Sequence, residues 1–183
     1  MFSNQHGSLH WMFSCQPFVF GEKGMLFVLA GEPDAEPCWD YSLRFGKHVV
    51  ATGGVVLCVD GTGTNTVSSG SVTVGVYSTS FSIASEICRN SGLGPGDLIV
   101  IHSLDAWADW EQPEAVRSLA EFCLESGVTI ALHTKYMGVE FGVFGDSITS
   151  PYASATFLLR SAGEPHFIHG RELLWLERSG VDG

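Results

Sequence analysis

The sequence predicts an α/β fold of three layers, in which a mainly parallel central sheet is covered by helices on both faces and finished by an antiparallel C-terminal hairpin. Three observations carry that prediction. Apolar runs of strand length, rich in β-branched and aromatic residues, alternate with stretches of helical spacing. The 183 residues are 45% hydrophobic and only 16% charged, a composition that fills a core without disulfide or metal staples. No internal repeat or linker divides the chain, so residues 1–183 read as a single domain in which 1–23 form an N-terminal extension of open role.

The elements follow in order. Continuous apolar runs at 25–30, 55–59, 72–77, 98–101 and 128–132 are each long enough, and apolar enough, to be buried strands. Between them lie helices over Trp39–Lys47, Phe81–Arg89 and Pro113–Ser126; the third has Pro in its first turn and Gly127 at its end. The Gly/Ser/Thr-rich stretch Gly61–Ser71 reads as a surface connection, and Gly138–Pro151 has no clear period. Three further strands are expected at 155–160, 166–168 and 172–177, the last two joined by a turn at His169-Gly170-Arg171. If both faces of that hairpin are apolar, a second copy of the chain can cover one of them.

After the first strand, Gly31-Glu32-Pro33-Asp34-Ala35-Glu36-Pro37-Cys38 occupies the place of a phosphate-binding loop. Such a loop closes in Gly-Lys-Ser/Thr, because its backbone N–H groups cradle phosphates, its Lys reaches the β/γ oxygens and its hydroxyl holds Mg²⁺. Here Glu36, Pro37 and Cys38 fill those positions. Glu32, Asp34 and Glu36 bring negative charge where a polyphosphate would sit, and Pro37 removes an N–H donor.

With that loop, the string Asp97-Leu98-Ile99-Val100-Ile101-His102-Ser103-Leu104 and the later Ile130-Ala131-Leu132-His133-Thr134, residues 24–178 resemble the RecA-like and KaiC-like P-loop ATPases. The nearest resemblance is to short, uncharacterised KaiC-like proteins of haloarchaea, which implies an archaeal, halophilic setting that suits the acid-rich composition. In that family the strand before Ser-Leu ends in the Walker B Asp that orders Mg²⁺. His102 stands there instead, followed by Ser103. The resemblance thus implies a RecA-like fold with both nucleotide signatures altered, a pseudoenzyme with neither phosphate clamp nor metal carboxylate. Asp60 falls near the family's water-activating Glu. The expectation is a regulatory or scaffolding module acting through protein contacts or self-association, with no catalytic residue and no ATP/Mg cofactor.

The alternative is a small-molecule or metal-binding protein, or an enzyme, using Asp60, Asp105, His102 and His133 in the crevice at the carboxyl ends of the strands. His102 and His133 are expected to close neighbouring strands, and with Cys38, Cys58 or Asp105 they could hold Zn²⁺. Lacking a tightly spaced ligand pair, they are expected instead to be hydrogen-bonded histidines at strand ends, with no metal. A hydrolase built on Ser103, His102 and Asp105 is disfavoured, because neighbours on a strand point to opposite faces and no G-x-S-x-G turn is present. Trp107 and Trp110 around Asp109 form either an exposed partner patch or packing at the start of the third helix, the second being favoured.

Charge and cysteine usage narrow the partners. A net charge of −11, from 20 acidic against 9 basic residues, argues against nucleic acid and anionic membranes. The five cysteines are odd in number, lack a C-x-x-C pair and fit the reducing cytoplasm. The apolar run Trp11–Phe20 is broken by Ser14, Gln16 and Pro17 and reads as neither signal peptide nor membrane span.

Overall fold

A computed structural model describes residues 24–32, 38–62, 74–160 and 166–170. Strands β1 (Leu26–Gly31), β2 (Val56–Asp60), β3 (Val74–Tyr77), β4 (Leu98–His102), β5 (Thr129–Lys135), β6 (Ala155–Leu159) and β7 (His166–Gly170) form one sheet in the order β3-β2-β4-β5-β1-β6-β7. The first six are parallel and β7 runs antiparallel to β6. Helices α1 (Cys38–Ala51), α2 (Phe81–Arg89), α3 (Pro113–Ser126) and α4 (Asp146–Thr149) complete the fold, with a short 3₁₀ turn at Leu104–Ala106. Among the described residues no helix is long and apolar enough to cross a membrane.

The strand pleat sorts the side chains into two cores. Phe27, Leu29, Val100 and Phe157 pack beneath Tyr41, Phe45 and Val49 of α1. Leu26, Val28, Ile99, Ile101 and Leu132 pack beneath α2, α3 and α4. Among the described residues α1 covers one face and the other helices the opposite one, so the connection leaving β1 and that leaving β5 run over opposite faces, although β1 and β5 are neighbours. In open α/β sheets such a switch opens a crevice at the carboxyl ends of the strands.

Several sequence-based bounds shift. The first helix runs to Ala51 rather than Lys47, because Val49 continues the buried stripe. The fifth strand extends through Lys135, so His133 lies inside β5 rather than closing it. Gly138–Pro151 is not a bare loop: Tyr136 and Val143 bridge in a small antiparallel turn, and α4 follows. His169 and Gly170 continue β7 instead of forming a turn; residues 171–183, with the expected last strand and Trp175, lie outside the described residues. Residues 1–23 and 63–73, and Pro33–Pro37 with Glu36, are also outside them. Gly127 closes α3 as expected, in the left-handed conformation with its N–H on the Cys123 carbonyl.

The Trp107–Trp110 segment is packed, not presented. Trp107 is 2% exposed, its ring lies 5.6 Å from that of Phe81, and its Nε1 donates to the Ser78 carbonyl at 2.9 Å. The Trp110 ring is 4.6 Å from Phe144. Between them, Asp109 sits on the N-terminus of α2 and accepts from Ser80 Oγ, Phe81 N and Ser82 N at 2.8, 2.8 and 3.2 Å. Burial alone would raise the Asp109 pKa, but these donors outweigh it and hold the carboxyl below its usual range.

Candidate functional site

The carboxyl ends of the central strands owe their polarity to the pleat. Asp60 of β2 and His102 of β4 are register partners, and His102 lies one step beyond the Ile101–Leu132 pair, beside His133 of β5. Asp60, His102 and His133 therefore form a polar row on the α1 face, in line with Leu29 of β1. Helix α1 covers this row with Trp39 and Ser42. Ser42 stands on the buried stripe of Cys38, Tyr41, Phe45 and Val49, and a hydroxyl there needs a partner.

The partner is His133. Ser42 Oγ lies 2.6 Å from His133 Nε2, and His133 Nδ1 lies 2.8 Å from His102 Nδ1. The two imidazole planes stand at 90°, and the Trp39 ring meets His102 edge-on at 5.2 Å. His133 is 1% exposed and His102 is partly exposed. His133 Nδ1 and Nε2 are both engaged; His102 Nε2 has no hydrogen-bond partner among the described residues. The serine hydroxyl finds an acceptor only if it donates to His133 Nε2, which places the His133 proton on Nδ1 and leaves an N–H at His102 Nε2. The open end of the chain is then a neutral donor.

Burial, reinforced by the neighbouring His102, lowers the His133 pKa well below the ordinary histidine value. Burial also lowers that of His102, against the opposing pull of Asp60 and Asp105. The consequence for stability has a definite sign. Below about pH 6.5 the unfolded chain takes up protons that the folded pair resists, so stability falls with pH from that point down to the folded pKa. The expected loss is up to about 1.4 kcal/mol per pH unit for each imidazole. Urea unfolding at pH 7.5, 6.0 and 5.0 reads it; a flat profile across that range would contradict the buried pair.

The other expected residues disperse. Cys38 opens α1, buried, with its thiol 3.5 Å from the Leu29 carbonyl and 3.9 Å from that of Thr134. Burial pushes its pKa up to about 12, and the neutral thiol wedges between β1 and β5. Cys58 is buried and likewise shifted upward. Asp105 pairs with Lys135 Nζ at 3.4 Å, and Asp60 Oδ1 accepts from the Thr62 N–H and hydroxyl at 2.8 Å each. Ser103 has a left-handed backbone, φ 66°, and no hydrogen bond to His102 Nδ1, which serves His133. That strain, directly after His102, turns the chain into the 3₁₀ turn, and Ser103 has no hydrogen-bonded base among the described residues. Among the described residues no group of three or more His, Cys, Asp or Glu side chains is placed to hold a metal ion.

Three contributors escaped the sequence reading. Ser42 and Trp39 were hidden because a helix covers a sheet only in three dimensions, though a serine on an apolar stripe is a legible signal. Lys135 was missed because its relation to Gly31 is set by register: the two are partners across β1 and β5, which brings a cation beside the end of β1. No protein-family model matches this chain, and no curated protein matches it.

Proposed function

We propose that this chain is a RecA-like domain of the KaiC-like kind that does not turn over nucleotide and acts through protein contacts. The observation that carries the proposal is the inward-tied His102. At the end of β4, where the resemblance would require a metal-binding carboxylate, stands a neutral imidazole bonded to a second neutral imidazole and capped by Trp39. Supporting it, β1 and α1 flank the altered loop as a strand and a helix flank a phosphate site, while the Cys38 thiol is directed at backbone carbonyls of β1 and β5. These residues do not fit Mg²⁺ and ATP.

Protein contact is favoured by the turn between β5 and α4. Met137, Val139 and Phe141 are 40%, 97% and 68% exposed on a tip closed by two backbone hydrogen bonds of 2.7 Å, Met137 N to Gly142 O and Gly142 N to Gly138 O. An ordered turn that holds three large apolar side chains in water suits burial against another protein. A second reading, a binder of a cationic or polar neutral ligand, is favoured by His102 Nε2, which has no partner among the described residues and lies near Asp60 and Asp105.

Thermal unfolding with millimolar ATP and Mg²⁺, run beside a turnover assay, tests the proposal. A ligand at one hundred times its Kd would add about 2.7 kcal/mol and raise Tm by about 5–10 °C. The expected result is no rise and no phosphate release. Either one would overturn the non-catalytic reading.

A further inference from the structure

We propose that Ser42, His133 and His102 form a proton-operated latch on the first turn of α1: the His102 ring is held inward beneath Trp39 until both imidazoles are protonated, and is then released toward the crevice. This goes beyond the proposed function, since it concerns a conformational device and holds whatever the partner is.

The argument is a count of protons along one chain of atoms. In the neutral pair one proton lies between the two Nδ1 atoms, 2.8 Å apart, and one between Ser42 Oγ and His133 Nε2. A first added proton can be taken without breaking either contact. His133 Nε2–H then donates to Ser42 Oγ, whose lone pairs accept it while the hydroxyl gives up its own acceptor, and the Nδ1···Nδ1 bond keeps one donor and one acceptor. A second proton removes the remaining lone pair. Two N–H groups would face each other across 2.8 Å, each on a cationic ring, and the contact cannot persist.

The fold decides which ring moves. His133 is enclosed between α1 and the sheet, whereas His102 ends β4, is partly exposed and has Nε2 unengaged among the described residues. The charges facing His102 are Asp60 from β2 and Asp105 from the 3₁₀ turn, and both favour the imidazolium form of His102, whereas His133 faces no carboxylate in the same way. His133 faces His102; α1 adds the uncharged Trp39 and Ser42, β1 adds Leu29, and the nearby Lys135 is engaged by Asp105. When His102 leaves, Trp39 loses its 5.2 Å ring contact, and the first turn is left with the weak thiol contacts of Cys38 and the core packing of Trp39 and Tyr41. Acid thus unlatches one turn of one helix, leaving the opposite core intact.

Hydrogen exchange on the full chain tests this, with rates corrected for pH, between about pH 6.5 and about pH 4.5. Amides of Ser42–Phe45 are expected to lose protection by at least about tenfold while those of α3 keep theirs. In His102→Gln, which can still bond His133 Nδ1 but cannot take the second proton, the loss is expected to vanish. Imidazole ¹⁵N shifts of the unsubstituted protein give a check that needs no variant: Nδ1 of His102 is expected to become a protonated imidazolium in the window where the turn opens. Equal loss in His102→Gln, simultaneous loss in α3, or no loss at all would each overturn the latch, as would two rings that titrate independently.

Discussion

Replacing Trp107 with alanine is expected to destabilise the protein by about 4 kcal/mol, lowering Tm by roughly 8–16 °C for a chain of this size. The indole is 2% exposed, stacks on Phe81 and donates to the Ser78 carbonyl, while the Ser78 N–H in turn reaches the carbonyl of Asp60. It also lies so close to Gly61 that a Cβ added there would come within 2.7 Å of the ring. Truncation therefore leaves a cavity, an unpaired carbonyl and a loosened end of β2. Trp107→Phe keeps the stack but orphans the carbonyl and should cost about 1–2 kcal/mol. Chemical denaturation of both variants checks the pair; a loss under about 1 kcal/mol for the alanine would mean that the indole is a surface group after all.

Asp109→Ala should be the next most damaging change, at about 2 kcal/mol. One carboxylate satisfies the Ser80 hydroxyl and the first two amides of α2 from 28 residues away, and also accepts from Gln112 Nε2 at 2.9 Å. Because its pKa is lowered, its contribution is present above about pH 4 and fades as the pH falls further. The histidine loss begins at about pH 6.5, so the two acid effects separate along the pH axis. In Asp109→Ala the low-pH branch is expected to flatten while the branch above about pH 5 keeps its slope. If the upper branch flattened instead, the assignment of that branch to His133 and His102 would be wrong.

The fold was legible because it rests on period and length. Runs such as Leu98–Ile101 are apolar at every position, which marks a strand covered on both faces, and Pro113 with Gly127 brackets α3 by backbone geometry alone. The bounds that moved are those where packing overrides composition. His133 belongs to β5 because its Cα neighbour Leu29 continues the ladder with β1, although an imidazole does not announce a strand. The Trp107–Trp110 segment could be read in two ways, since exposure is a property of what lies opposite, and Phe81 and Phe144 are 26 and 34 residues distant.

The candidate site divides in the same manner. That Glu36, Pro37 and Cys38 stand where a phosphate loop needs Gly, Lys and a hydroxyl, and that His102 stands where the resemblance implies an Asp, is written in the sequence itself. What the sequence could not express is that His102 and His133, 31 positions apart, share a proton between their Nδ1 atoms, or that Ser42 closes the chain from a helix on top of them. Residue identity and spacing determine which functional groups a segment can offer, because an ammonium or carboxylate that the sequence does not contain is absent in any conformation. Strand order and register decide which side chains meet, because sheet neighbours are joined by crossovers whose length carries no record of the row they build.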